Sequence, residues 1–190
     1  MINRFLVAIL LLMSPALFAQ SAPSAEGPGG SIWAGAEMSS FNPDWGCKQS
    51  SPFNCFSKQL IGVAGFTDIN RLIGPVGVEG EVRWLGVRGP GHNVTEANYL
   101  VGPRYQVLAR PRLSVNVKAL AGLSTIHVNR GWGAWTSFAP GATVGYRLTR
   151  RLMVRGDYEF QIWPNYVGAR GRNGLTPNGF SVGLSYRLFR

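Results

Sequence analysis

Apolar and polar positions alternate with a period of two along most of the chain. The clearest run lies at 178–190, where Phe180, Val182, Leu184, Tyr186 and Leu188 share one face and Ser181, Gly183, Ser185 and Arg187 the other. Successive side chains of a strand point to opposite faces, so this period predicts a strand with two unlike faces. Further segments read the same way. At 31–40, Ile32, Ala34, Ala36 and Met38 oppose Gly35 and Glu37; at 59–69 the parity is ambiguous. At 76–87, Val76, Val78, Val82 and Trp84 oppose Glu79, Glu81 and Arg83. At 96–108, Tyr99, Val101, Tyr105 and Val107 oppose Asn98, Arg104 and Gln106. At 113–128, Leu113, Val115, Val117 and Leu123 oppose Ser114, Asn116, Lys118 and Ser124. At 135–148, Phe138, Val144, Tyr146 and Leu148 oppose Thr143 and Arg147. At 151–162, Leu152, Val154, Tyr158, Phe160 and Ile162 oppose Arg155, Asp157, Glu159 and Gln161. With the closing run these make eight strands, each of about 10 residues or more, long enough for tilted membrane-spanning strands.

The connections between them alternate in length. Short ones fall at 70–75, 109–112 and 149–150, and longer ones at 41–58, 88–95, 129–134 and 163–177. Short turns at one end and longer loops at the other are expected of an all-β, eight-stranded antiparallel up-and-down transmembrane β-barrel, with the turns and both termini in the periplasm. Period two by itself also permits a soluble exported barrel that turns its apolar faces inward. The two barrels differ in where the charges go. The acids Glu37, Asp68, Glu79, Glu81, Asp157 and Glu159 share the small, polar parity with as many bases: Arg83, Arg104, Lys118, Arg147, Arg155 and Arg187. Asp68 enters this set through the segment of ambiguous parity. Inside a narrow barrel such side chains can pair and hydrogen-bond, whereas a soluble barrel with those faces in water needs no such balance. The aromatic residues also sort by strand direction. Tyr105, Tyr146 and Tyr186 stand on the apolar face near the turn end, and Trp84, Tyr99, Phe138 and Phe160 towards the loop end, as two interfacial girdles would.

Composition narrows the function classes. The chain has 190 residues, 25 of them Gly, with 12% aromatics, which suits one β-rich domain. Residues 1–19 have a basic start, a short apolar run and a small-residue end, and read as a secretory signal peptide; 20–30 are small, Pro- and Gly-rich, and read as a flexible periplasmic leader; 31–190 hold the barrel. Export permits a disulfide between Cys47 and Cys55 in the first long loop. The formal net charge of +10 points to an anionic partner, and export argues against nucleic acid.

With these residues in hand, the chain resembles the small bacterial outer-membrane β-barrel family, of the OmpA transmembrane-domain, OmpX and opacity-protein type. The resemblance covers 31–190 and includes stretches such as GVEGEVRWL from Gly77 and YLVGPRY from Tyr99. Ser181, Gly183, Tyr186 and Leu188 look like the C-terminal assembly signal of such barrels: polar, Gly, aromatic, hydrophobic at fixed spacing. The resemblance implies insertion by the barrel-assembly machinery into the outer membrane, contact with its lipid and lipopolysaccharide, and a monomer. The chain ends with the barrel, so the peptidoglycan tether of full-length OmpA is not expected.

No residues suggest a reaction, a cofactor or a metal. His92 and His127 have no Ser or acid at a recurring spacing, and the acid pairs Glu79/Glu81 and Asp157/Glu159 sit at i, i+2 beside Arg, which reads as structural ion pairing. The Gly runs match neither a P-loop nor a dinucleotide pattern. With the interior charges balanced, the excess falls outside. The turns carry Arg71, Arg110, Arg112, Arg150 and Arg151; the outer loops and rims carry Lys48, Lys58, Arg88, Arg130, Arg170 and Arg172 against Asp44 and Glu96. Trp45, Phe53, Phe56, Trp132, Trp135, Trp163 and Tyr166 stand among the loop bases. The expectation is a non-enzymatic barrel whose basic, aromatic loops contact anionic envelope or surface components, with a small passive channel as the alternative.

Overall fold

The computed structural model describes residues 30–44, 59–89, 92–128, 131–167 and 173–189. Its strands are β1 (Ser31–Asn42), β2 (Leu60–Ile73), β3 (Val76–Gly89), β4 (His92–Ala109), β5 (Leu113–Val128), β6 (Gly131–Arg147), β7 (Leu152–Phe160), β8 (Trp163–Val167), β9 (Asn173–Leu175) and β10 (Asn178–Phe189). Eight of them close a barrel in the order β1-β10-β7-β6-β5-β4-β3-β2, every neighbour antiparallel. Closure leaves no unpaired sheet edge.

The barrel is inside-out relative to a soluble protein. Tyr99 and Val101 point outward on β4 beside Trp84 on β3, and Val63, Phe138, Val182 and Leu184 are likewise exposed. An apolar belt of this extent running around a sheet finds its solvent in lipid. The two ends of the barrel are unlike. At one end the strands join through tight turns. The β2–β3 turn has Gly74 at φ +60°, a conformation open to glycine without strain. Just before it the register steps from Ile69↔Val78 to Ile73↔Val76, and this bulge places Arg71 at φ +58°.

At the other end the strands run on. β3 and β4 pair up to Gly89↔His92, and β5 and β6 up to Val128↔Gly131. The connections expected at 88–95 and 129–134 are therefore largely strand. At 14 to 18 residues, β3 to β6 exceed the 9–11 that cross a bilayer, so they project beyond it. The long segment 163–177 is not a plain loop either. β8 and β9 pair with each other through Trp163↔Leu175 and Val167↔Asn173, and a bridge between Phe138 and Ile162 ties this small sheet to β6.

Candidate functional site: the plugged lumen and its rims

Strand parity carries the ionisable side chains of β1, β2, β3, β4, β5 and β7 into one layer of the lumen. Lys118 on β5 is its hub. Its Nζ lies 3.0 Å from Glu79 Oε1, 3.0 Å from Glu81 Oε2, 2.7 Å from Asp157 Oδ2 and 3.2 Å from Glu159 Oε2. Glu81, Asp157 and Glu159 bring their oxygens close enough to hold a metal ion, and the lysine ammonium already contacts all three. Arg155 on β7 is the second hub. Its Nε reaches Glu37 Oε1 at 2.7 Å, its Nη1 Asp68 Oδ2 at 3.0 Å and its Nη2 Glu79 Oε1 at 2.6 Å, with the guanidinium 3.9 Å above the Phe66 ring. Arg83 donates to Glu159 Oε1 at 2.8 Å, pairs with Glu81 and lies over the Phe41 ring at 4.2 Å. Arg104 pairs with Asp68 and lies 3.4 Å from Glu79 Oε2. Thr143 Oγ1 donates to Asp157 Oδ1 at 2.6 Å. All these charged groups are buried. In such surroundings an unpaired ion is very costly, and each carboxylate here touches at least one cation.

Apolar layers sit on the loop side of this network. Leu100, Leu120 and Ala139 form one, and Phe41, Leu60 and Leu85 another. Above them Ile126, Trp163 and Leu175 pack with Val94, Trp135 and Tyr166 beneath the β8–β9 sheet. Trp135 and Trp163 stack with centroids 6.2 Å apart, and Tyr166 lies 5.0 Å from Trp135; partial burial raises the Tyr166 phenol above its usual pKa. The cap is wired to the ions below: Trp163 Nε1 donates to Gln161 Oε1 at 2.9 Å, and Gln161 Nε2 to Glu159 Oε1 at 2.8 Å. An eight-stranded barrel has room only for its own side chains, and here charges and rings fill it.

The structure corrects part of the expected inner set. Glu37, Asp68, Glu79, Glu81, Arg83, Arg104, Lys118, Arg155, Asp157 and Glu159 all lie in the lumen, and β2 turns Leu60, Ala64, Phe66 and Asp68 inward. Arg147 and Arg187 do not join them. Both have inward parity but stand at strand ends, where the lumen opens to water. Arg147 is exposed, and its Nη1 donates to Pro111 O at 3.2 Å. Arg187 is half-buried at the turn-end rim, where its Nη2 donates to Arg150 O and its guanidinium lies 5.3 Å over Trp33. Glu96, expected at the outer rim, is fully buried because β4 starts at His92 and carries it inside; Asn98 Nδ2 donates to its Oε1 at 2.9 Å. The inner charges are therefore not balanced: acids outnumber bases. Its shared parity with Asn98 and Arg104 was the signal that could have placed Glu96 inside. Trp163, expected among exposed loop aromatics, is wholly buried in the cap, whereas Trp132 is 76% exposed.

The outer-loop bases Lys48, Lys58, Arg130, Arg170 and Arg172 lie outside the described residues, as do Cys47 and Cys55, the expected signal peptide and all of the expected leader but Gly30. Arg88 belongs to β3, opposite Asn93, rather than to a loop. In the closing strand, Ser181 Oγ meets Ser39 Oγ at 2.8 Å across the β1–β10 seam. Gly183 faces Glu37, and a Cβ there would come within 2.6 Å of Glu37 Cα. Tyr186 and Leu188 point outward.

Solved structures share this architecture. Neisserial surface protein A is similar with a TM-score of 0.60 at 10% identity, over 84% of this chain and 97% of that one. OprG of Pseudomonas aeruginosa gives a TM-score of 0.56 at 10% identity, over 85% and 97%. Ail, the attachment invasion locus protein of Yersinia pestis, solved in complex with the heparin analogue sucrose octasulfate, gives 0.53 at 16% identity, over 84% and 97%. No curated protein matches the chain in sequence. The family model for the outer membrane protein β-barrel domain matches residues 8–187, nearly the whole chain, so with its closed eight-stranded barrel and lipid-facing belt this chain belongs to the outer-membrane β-barrel family.

Proposed function

We propose that this protein is a non-enzymatic outer-membrane barrel that acts through its loop end, where basic and aromatic side chains meet anionic, sugar-rich envelope or surface components. In this reading the turn end and both termini face the periplasm. The observation that carries the proposal is the filled lumen. Ion pairs occupy the middle, apolar layers and the aromatic cap lie above, and the surface remains as the place for contact. The inner carboxylates are sealed from solvent, those of the network engaged by Lys118 and the arginines and Glu96 by Asn98, a poor arrangement for a general acid or base that must reach a substrate. The loop end is long-stranded, carries exposed Trp132, and by sequence holds Lys48, Lys58, Arg130, Arg170 and Arg172. Bases suit sulfates, phosphates and carboxylates, and rings suit sugar faces and interfaces. The sulfated sugar bound to Ail is a ligand of this chemical class on the same fold.

The test is binding of lipopolysaccharide and of a sulfated polysaccharide to the full chain in detergent. Replacing Arg170 and Arg172 with Gln, and separately Lys48 and Lys58, weakens binding unequally if one ligand is recognised. Equal small losses from every loop indicate plain lipid contact. Binding unchanged by all four substitutions refutes the loop-end reading.

A further inference from the structure

The arginines at the turn end remain without a role in this reading. We propose that the turn between β7 and its neighbours holds an anionic phospholipid, its phosphate on Arg150 and Arg151 and its acyl chain along the outer face of β7 and β10. The periplasmic leaflet as the source rests on the orientation proposed above; the lipid class does not.

A cleft of about 720 Å³ at this rim is lined by Arg150, Arg151, Tyr186, Arg187, Leu188 and Phe189. Its two halves differ in chemistry. The polar half is built on a turn fixed by several hydrogen bonds. Thr149 Oγ1 accepts from Arg151 N at 3.2 Å and Leu152 N at 3.0 Å, Leu148 N donates to Leu152 O at 2.9 Å, and Arg187 N donates to Arg151 O at 2.8 Å. The Arg187 guanidinium holds the Arg150 carbonyl, so the backbone that presents both arginines is anchored to the closing strand. Arg151 Nη1 donates to the Tyr186 hydroxyl at 3.2 Å, which directs the guanidinium towards the girdle where the lipid face begins. A guanidinium with donors to spare beside a phenol suits a phosphodiester.

The apolar half continues from there. Tyr186 pairs with Leu152, Leu184 with Val154 and Val182 with Gly156. These outward positions form an apolar track down the barrel, interrupted at Gly156, where a Cβ would meet nothing within 4 Å. An acyl chain fits this track; a soluble anion or polymer has no use for it. The charge at this rim also has one sign. Among the described residues Arg71, Arg110, Arg112, Arg147, Arg150, Arg151 and Arg187 lie at the turn end, while the acids lie in the lumen, apart from Asp44 at the loop end. Basic residues next to a bilayer favour anionic over zwitterionic headgroups.

The test uses the full chain in detergent and native mass spectrometry with phosphatidylglycerol or phosphatidylcholine added at equal concentration. Phosphatidylglycerol is retained preferentially. R150Q/R151Q lowers that retention about 25-fold, taking about fivefold for each base at an anionic surface. R71Q/R110Q, whose arginines line the mouth of the lumen rather than this cleft, lowers it by less than about fivefold, the effect of a single base at the surface. The gel shift between unheated and heated samples shows that each variant is a closed barrel. Equal retention of the two lipids, equal loss in both double variants, or displacement of the lipid by the same concentration of glycerol phosphate would each overturn the site. Turn-end orientation is read separately by protease access in intact cells, so a reversed barrel and an absent lipid site give different results.

Discussion

Replacing Lys118 with Met removes the cation that four carboxylates share. Met keeps most of the chain length, so the change is in charge more than in volume. In the native barrel the ammonium lies within 3.2 Å of oxygens from Glu79, Glu81, Asp157 and Glu159. Glu79 retains Arg155 and Arg104, Glu81 and Glu159 retain Arg83, and Asp157 retains Arg155 at 3.4 Å. The variant therefore weakens four pairs without wholly orphaning any of the acids. Removing one partner of a buried ion pair costs about 3–5 kcal/mol. Four anions crowded around a lost cation place K118M at the upper end, about 5 kcal/mol. With a urea dependence of about 2 kcal/mol per molar, the unfolding midpoint falls by about 2.5 M. Tryptophan fluorescence on protein folded into lipid vesicles reads this midpoint. A second variant separates charge from packing: in an E81Q/E159Q background K118M costs less, because fewer charges are left uncompensated. An unchanged midpoint in K118M, or the same loss in both backgrounds, would refute the hub.

Gly183→Val drives side-chain atoms into Glu37 on the opposing strand, so closure fails and the faster-migrating form on unheated SDS gels is lost; a normal gel shift contradicts the seam. Trp163→Ala empties the cap at a cost of about 3–5 kcal/mol, read as faster protease cutting in 163–177 while the barrel keeps its gel shift. Arg155→Met strips contacts from Glu37, Asp68 and Glu79 and destabilises the barrel by about 3–5 kcal/mol in the same urea assay, without altering its closed form at low urea. Under non-reducing conditions thiol titration finds no free Cys47 or Cys55; two reactive thiols would contradict the proposed bond.

The barrel was legible in the sequence because period two is a local property and each face has one solvent. Phe180 to Leu188 and Leu152 to Phe160 sort cleanly, since lipid accepts only apolar side chains on one face. Where both faces are apolar the signal fails. β2 turns Leu60, Ala64 and Phe66 inward and Ile61 and Val63 outward, and only its pairing with β1 and β3 settles which is which. Strand ends were the other weak point. Parity says which way a side chain points but not whether the lumen at that height is closed. Arg147 and Arg187 share the inner parity yet lie at the rim, while Glu96, expected at a rim, lies inside. The hydrogen-bonded path from Trp163 through Gln161 to Glu159 depends on the β8–β9 pairing, and no spacing in the chain announces it. The stacking of Arg83 on Phe41 and of Arg155 on Phe66 likewise joins residues from distant strands.

Ion conductance is the most direct measurement of the central claim, that the lumen is filled by its own paired charges and apolar layers. The full chain is folded into lipid vesicles, its closed form verified by gel shift, and inserted into planar bilayers under an applied voltage in potassium chloride. The account predicts a quiet baseline with no unitary steps. Reproducible discrete openings from the unmodified protein would contradict it and make the small channel the better reading.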